Sequence, residues 1–245
     1  MLSLILGTKR TGRPLVQKVV DDTIYLKRPR RGAILKEEVW RDRDWQVIKY
    51  SVAYINAAVC GADNGRVLGY DNSHDHHHRH FMGKQESFEF TGYEALATRF
   101  YDESAISGGV KMKNVAKPAK KTSRRVTVSS GSVEAFIGRS LERARRLDRG
   151  VKLAREITMT FEDPADLVRV LSAERVRVIH ALREKPAPVS ELAATLRRDR
   201  KAVKRDVNLL ESFGLVNARQ EINPGHGRRR IIEPLAAKYQ LVATI

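Results

Sequence analysis

The feature that most constrains this 245-residue chain is a change of hydrophobic period across a basic, glycine-containing stretch. Before Ser107, apolar residues alternate or cluster as they do in β-strands, whereas beyond Arg125 they recur every three to four residues, as in amphipathic helices. The intervening stretch combines Gly108, Gly109 and Pro118 with many Lys and Arg side chains, a composition with little to bury. The chain is long enough to supply each half with its own core.

These patterns predict an α+β protein. The N-terminal half is expected to be an antiparallel β-sheet domain with a packed helix, and the C-terminal half a mostly α winged helix-turn-helix domain. We divide the sequence into a first domain at residues 1–107, a basic linker at 108–125, a strand-helix segment at 126–157 and a final domain at 158–245.

The first half is rich in strand-forming residues. Residues 33–40 and 45–55 are rich in Val, Ile, Tyr and Trp and predict two strands, with the charged residues 41–44 as the turn between them. Asn64 and Gly65 tolerate positive φ and indicate a short hairpin.

The end of the first half is predicted to turn from strand to helix. Phe81 and residues 88–90 continue the β character. Thr91 can then cap a helix in which Leu96 and Phe100 share one face at i, i+4 spacing.

The second half is predicted to begin with a short strand at residues 126–128. A helix should follow, because its apolar residues form one stripe, namely Val133, Phe136, Ile137, Leu141 and Ala144. Residues 158–161 predict another strand. Asp163, followed by proline, and Ser172 are the expected N-caps of the next two helices.

The charge balance indicates the class of partner. A formal net charge of +17 favours a polyanion, because Lys and Arg near phosphates gain affinity by releasing counterions. Nucleic acid is favoured over a membrane, since no apolar run approaches the roughly 18 residues of a spanning helix. Cys60 is the single cysteine, which excludes an intrachain disulfide and a multi-cysteine zinc module. We expect a cytoplasmic protein with no membrane association.

Five of the seven histidines lie within residues 74–80. If this segment is extended, one face carries His74, His76, His78 and His80, and the other carries Asp75, His77 and Arg79. Neither set resembles a hydrophobic core. Three interpretations stay open: the first four histidines bind a divalent metal such as Zn²⁺ with Asp71 as an oxygen ligand; a histidine and Arg79 cleave RNA through its own 2′-hydroxyl; or the segment is a solvated loop.

Residues 190–196 and 199–212 predict two helices joined by a short turn, with Asp199 as an N-cap. One face of the second helix is apolar, and the opposite face carries the residues expected to reach DNA bases, namely Arg200, Lys201, Lys204, Arg205 and Asn208. Residues 215–222 and 228–233 then predict the two strands of a wing. Three residues of the wing would lie near the minor groove or the phosphates: Arg228, Arg229 and Arg230.

Two stretches carry a resemblance to known families. The run GRVLGYDNSHDHHHRHFMG resembles the TumE-type toxins of bacterial and archaeal toxin-antitoxin modules, whose hallmark is a YDN segment followed by an HHRH-like segment and a glycine. The runs FEDPADLVRVLSAERVRVIHALRE and RRDRKAVKRDVNLLESFGLV resemble the partner TumA-type winged-helix antitoxins. The two resemblances cover nearly the whole chain, whereas toxin and antitoxin are normally separate proteins.

The resemblance implies a toxin that acts on RNA and an antitoxin that neutralises it and represses its own operon. The toxin residues it implies are Asp71, Asn72, His77, His78, Arg79 and His80. Expected partners are RNA, operator DNA, the other half of the same chain and a second copy in a homodimer; no cofactor is required. We also hypothesise that residues 126–147 lie against the toxin sheet or mediate dimerisation. The alternative function is a transcription regulator whose His-rich N-terminal domain senses a metal without catalysis.

Overall fold

The computed structural model describes residues 16–28, 30, 32–73, 76–104, 125–223, 227–236 and 238–242. Most of the predicted linker therefore lies outside the described residues. No helix within these ranges is long and apolar enough to cross a membrane.

Within the described residues, the first half forms six strands and one α-helix. They are β1 (Gln17–Tyr25), β2 (Ile34–Arg41), β3 (Val47–Ile55), β4 (Arg66–Asp71), β5 (His78–Phe81), β6 (Lys84–Ser87) and α1 (Tyr93–Glu103). Each of these strands pairs antiparallel with the next. The two predicted strands at 33–40 and 45–55 are confirmed, and the helix buries Leu96 and Phe100 as its period predicted.

The second half is richer in strands than predicted. Its elements are β7 (Arg125–Ser130), α2 (Val133–Asp148), β8 (Glu156–Phe161), α3 (Pro164–Val170), α4 (Ala173–Glu184), α5 (Val189–Leu196), α6 (Arg200–Ser212), β9 (Val216–Asn223), β10 (Gly227–Pro234) and β11 (Lys238–Val242). The prediction of a mostly α C-terminal half is therefore not confirmed. The strands predicted at residues 126–128 and 158–161 are present as β7 and β8, whereas β11 was not predicted because its partner, β7, lies far away in sequence.

The two halves share one sheet. Nine strands lie in the order β11-β7-β8-β1-β2-β3-β4-β5-β6, and β8 of the second half pairs parallel with β1 of the first. The parallel strands β7 and β8 are connected by α2, which is the crossover that parallel pairing requires. The fold is thus continuous across the predicted domain boundary.

Alternating side chains give the sheet two distinct faces. The helix face is covered by α1 and α2 and holds a core cluster that includes Val39, Tyr50 and Phe136. On the second face, the domain formed by α3 to α6 packs over β7 and β8 through a separate cluster. Tyr25 joins this packing, with its ring centroid 4.8 Å from that of Phe213.

The predicted helix N-caps at Asp163 and Ser172 both lie at the starts of helices. The Asp163 side chain accepts a hydrogen bond from the Ala165 amide at 2.9 Å, as predicted for an N-cap. Ser172 precedes α4 without a side-chain cap bond. Two predictions were wrong: residues 88–90 are not a strand, and Arg41 is buried at the end of β2 with 1% exposure.

Asn64 and Gly65 adopt the positive φ values that the sequence predicted, but the short hairpin predicted from them is not formed. Asn64 has φ of 54° and Gly65 of 85°. The connection from β3 to β4 nevertheless runs from Ile55 to Arg66 and includes a 3-10 turn. The positive φ values therefore terminate a longer loop.

Candidate functional site

The histidine segment is a strand only from His78 onward. In the register of β4 and β5, Asp71 lies opposite His78, and Gly69 lies opposite His80. Residues directly opposite in an antiparallel pair share a face, so Asp71, His78 and His80 all lie on the second face of the sheet. His74 and Asp75 lie outside the described residues.

Four side chains on this face form a closed ring in which Arg66 and His80 alternate with Asp63 and Asp71, and which we call the charge ring. Arg66 donates from Nη1 to Oδ2 of Asp71 at 2.9 Å, and its Nε lies 3.4 Å from Oδ2 of Asp63. His80 bridges the same two carboxylates, with Nδ1 3.1 Å from Asp63 and Nε2 3.2 Å from Asp71. Both ring nitrogens of His80 therefore lie within ion-pair distance of a carboxylate.

Gly69 makes the ring possible. A Cβ at this position would lie 2.7 Å from Cδ of Arg66. The Arg66 side chain crosses the sheet directly above this glycine, so a larger residue here would displace it.

Asp71 connects the charge ring to further histidines. Burial alone would raise its pKa, but the hydrogen bonds from Ser73 and the nearby charge of His80 lower the pKa below its ordinary value. Its Oδ1 lies 4.0 Å from Nδ1 of the buried His78. The His78 ring in turn contacts the exposed His76 ring, with centroids 3.8 Å apart. A carboxylate, a buried imidazole and an exposed imidazole thus follow one another toward solvent.

His77 and Arg79 lie on the opposite, helix face. The Tyr50 hydroxyl and Nδ1 of His77 are hydrogen-bonded at 2.6 Å, and the His77 ring stacks on Phe90 at 4.6 Å. Burial lowers the pKa of His77, which favours the neutral ring.

The Arg79 guanidinium is held by two carboxylates on that face. Its Nε donates to Glu103 at 2.8 Å and its Nη1 to Glu86 at 2.6 Å. The structure therefore does not bring Arg79 to the cluster that contains His78 and His80.

Asn72 fixes the start of β3. Its Oδ1 accepts from the Tyr50 amide at 2.9 Å, and its Nδ2 donates to the Ile48 carbonyl at 2.9 Å. Both ends of the Asn72 side chain therefore bind backbone groups. In the YDN segment, Tyr70 is buried in the core, Asp71 belongs to the charge ring and Asn72 has a structural role.

The predicted metal site is not assembled from described residues. Within the part of the chain that the structure describes, no group of three or more His, Cys, Asp or Glu side chains is placed to hold a metal ion. His74 lies outside that part, so the set His74, His76, His78 and His80 stays a prediction.

Helix α2 binds the first half through a buried ionic cluster. Asp22 on β1 and Glu37 on β2 are 2% and 0% exposed, and they lie opposite each other on the helix face. Nη2 of Arg143 on α2 lies 2.7 Å from Asp22 and also donates to Glu37. The Tyr93 hydroxyl donates to the other oxygen of Glu37 at 3.0 Å. The second half thus supplies the cation that neutralises two buried carboxylates of the first half.

The end of α2 also caps α1. The Asp148 carboxylate accepts from the Tyr93 amide at 3.0 Å and from the Glu94 amide at 2.8 Å. The prediction that Thr91 caps this helix was wrong, because α1 has Gly92 at its N-cap and takes its capping oxygens from another element. In return, the guanidinium of Arg41 donates to the Leu147 carbonyl at the end of α2.

The predicted recognition helix, α6, has the expected N-cap and the expected exposed basic side. The Asp199 side chain accepts from the Ala202 amide at 2.9 Å at the start of α6. Five predicted side chains on α6 are exposed: Arg200, Lys201, Lys204, Arg205 and Asn208. The opposite side is anchored by the buried Asp206, which accepts from Arg175 at 2.9 Å and from Arg198 at 2.8 Å.

Strands β9 and β10 form the predicted wing after α6. Ala187 forms a bridge with Ile232, which adds a third short extended segment, as in winged helices. Arg228 is exposed, Arg229 pairs with Glu221 at 3.2 Å, and Arg230 donates to Glu211. Arg228 is therefore the wing arginine with the fewest competing contacts.

Comparison with known proteins separates the two halves. Residues 12–107 match the family model described as Toxin TumE. Residues 170–233 match a second family model, HVO_A0114. The TumE match includes the whole charge ring and both carboxylates that Arg143 neutralises, whereas Arg143 and helix α2 lie outside it.

A solved structure also matches part of the chain. It is the solution NMR structure of the homodimeric winged helix-turn-helix DNA-binding domain (fragment 1–100) of Mb0332 from Mycobacterium bovis, described as a possible ArsR-family transcriptional regulator. The match is 22% identical, covers 30% of this chain and 64% of that chain, and has a TM-score of 0.25. No curated protein matches the chain.

Sequence reasoning missed three of the residues that organise these sites. Arg66 and Asp63 are close to the YDN segment in sequence. The available signal was a glycine, Gly69, three residues after Arg66, which leaves space for the arginine side chain. Arg143 gave no signal, because it lies among the arginines of a basic helix and its carboxylate partners are 106 or more residues away.

Proposed function

We propose that this chain is a fused toxin-antitoxin protein in which an RNA-directed toxin half is neutralised by a DNA-binding half of the same polypeptide. The observation that carries the proposal is the contact between the halves: β8 extends the sheet of the TumE-matching region, and α2 inserts Arg143 between Asp22 and Glu37. Buried carboxylates are strongly unfavourable without a partner. This interface is therefore specific rather than incidental.

The charge ring supports phosphoryl chemistry. In the reaction we propose, an imidazole removes the proton of an RNA 2′-hydroxyl, the oxygen attacks the adjacent phosphorus, and the bond to the 5′-oxygen breaks as a second group protonates that oxygen. The exposed His76, supported by His78 and Asp71, is suited to the base. Arg66 and His80 are suited to stabilising the charge that develops on the phosphate.

Neutralisation is proposed to act through the position of the winged domain. Helix α2 covers the helix face, whereas the charge ring lies on the second face. The winged domain stands on that second face, over β7 and β8. By fixing β8 against β1, the interface holds a bulky domain at β8, four strand positions from β4, where it would obstruct a long RNA.

The second half is proposed to bind operator DNA through α6 and the wing. The exposed cations of α6 are placed for base edges and phosphates, and Arg228 for the backbone next to the wing. Repression of its own transcription and a homodimer on a two-fold operator are further parts of this proposal.

Expression of the halves tests the proposal. Residues 1–111 alone should arrest growth, and co-expression of residues 115–245 should restore it. Asp71→Asn in residues 1–111 should abolish the arrest, because the charge ring loses one of its anions. A folded, soluble 1–111 fragment that leaves growth and cellular RNA unchanged would refute the toxin assignment.

A further inference from the structure

A partly exposed tryptophan lies beside the charge ring on the second face of the sheet. Trp40 in β2 is opposite Lys49 in β3. The Nζ atom of Lys49 lies 5.1 Å from the centroid of the indole, and that of Lys18 lies 4.7 Å away. These three residues come from three strands, so the sequence shows no interleaving of aromatic and basic residues. Only the sheet register assembles them.

The tryptophan and the charge ring form one continuous surface. Ser51 lies opposite Asp71, and Lys49 is two residues before Ser51 on the same strand. Ordinary strand spacings then place the Cα atoms of Lys49 and Asp71 about 8 Å apart. Among the described residues, no helix packs over the strands β2 to β5 on this face.

The two lysines differ in how they are held. Lys18 donates to Asp21 at 3.0 Å and to Glu38 at 2.6 Å. Lys49 is exposed, and no carboxylate within the described ranges pairs with it. Its ammonium group can therefore bind a phosphate without first losing an ion pair.

We propose that the second face binds single-stranded RNA, with one base stacked against Trp40, the adjoining phosphate on Lys49 and the scissile phosphodiester at the charge ring. The inference rests on the proposed function and names its substrate class. A base can stack on an indole only when it is unpaired, and stacking accepts any base because every base has a π face. An A-form duplex presents no free base face, so it cannot use this surface. A short single strand is also thin enough to pass beside the winged domain.

The test uses the full chain with Trp45→Phe, which leaves Trp40 as the single tryptophan. Titration with a short oligouridylate should quench its fluorescence at low salt. Trp40→Ala should weaken binding of a labelled oligonucleotide roughly 5- to 150-fold, because it removes the stacking contact. Lys49→Ala should weaken both that binding and the quenching.

Lys84→Ala is the matched control, because it removes the same charge from an exposed strand position whose paired neighbour, Phe81, faces the other side. Its affinity should equal that of the parent. Unchanged Trp40 emission while the oligonucleotide is bound, or equal losses for Lys49→Ala and Lys84→Ala, would overturn the proposed surface. Equal quenching by a duplex would overturn the assignment to a single strand. Growth arrest by residues 1–111 without quenching would refute this surface alone, and quenching without arrest would refute only the toxin assignment.

Discussion

Replacing Arg143 with alanine is expected to destabilise the whole chain strongly. The substitution leaves Asp22 and Glu37 in the core without the guanidinium that lies between them. Their side chains are 3% and 1% exposed, and that of Arg143 is 16% exposed. Solvent therefore cannot replace the lost cation.

The expected loss follows from this burial. Removing one partner of a buried ion pair costs about 3–5 kcal/mol. The hydrogen bond from Tyr93 to Glu37 remains, so we expect a value near the lower end. For a chain of this size, such a loss should lower the Tm by about 6–20 °C.

Thermal and urea unfolding at neutral pH measure this loss, with Arg145→Ala as the control. Arg145 lies on the same helix and pairs with Glu94, but their side chains are 38% and 43% exposed. An exposed pair contributes about 0–1 kcal/mol, so the control should remain close to the parent protein.

A second signature distinguishes a charge effect from a simple loss of packing. Adding Asp22→Asn and Glu37→Gln to Arg143→Ala should recover part of the stability, because neutral amides need no cation. Burial already raises the pKa of Asp22, so protonation at pH 5 should also lessen the defect relative to pH 7.5. An Arg143→Ala protein as stable as Arg145→Ala, or one insensitive to both tests, would refute the reasoning.

Three further predictions concern the cap, the buried histidine and the DNA surface. Asp148→Ala should lower the unfolding free energy by about 0.5–2 kcal/mol in urea denaturation, because two amides at the start of α1 lose their acceptor. Burial lowers the pKa of His77 in the folded protein below the ordinary value of 6.5. The stability that neutral His77 contributes is therefore present above pH 6.5 and is lost as the pH falls below that value. His77→Phe should flatten the dependence of Tm on pH between 7.5 and 5.5. Lys204→Ala should weaken operator binding and reduce the slope of log affinity against log salt by about 1, as measured by fluorescence anisotropy.

Each of these predictions has a contrasting outcome. Asp148→Asn retains one acceptor oxygen and should lose less stability than Asp148→Ala. An unchanged pH profile for His77→Phe would mean that another group causes the acid sensitivity. Lys185→Ala, which removes an exposed cation away from α6, should leave the salt slope unchanged; an equal decrease would contradict the placement of α6 on DNA.

The candidate site could be predicted only in part. The YDN and histidine pattern pointed to Asp71, His78 and His80, and these three do lie together. The same pattern also included His77, Arg79 and Asn72, which bind the core, two carboxylates and the backbone respectively. The prediction that successive side chains alternate between the two faces was correct for β5. This alternation places Arg79 on one face of the sheet and His80 on the other.

Local features of this protein could be predicted without a structure: the strand and helix periods, the caps at Asp163 and Asp199, and the exposed cationic side of α6. These depend on contacts within a few residues. Three long-range features could not be predicted: the two halves share a sheet, Arg143 neutralises two distant carboxylates, and Trp40 lies against Lys49 beside the charge ring. Pairing between strands depends on the whole fold, and no periodicity within one segment reports which distant strand becomes its neighbour.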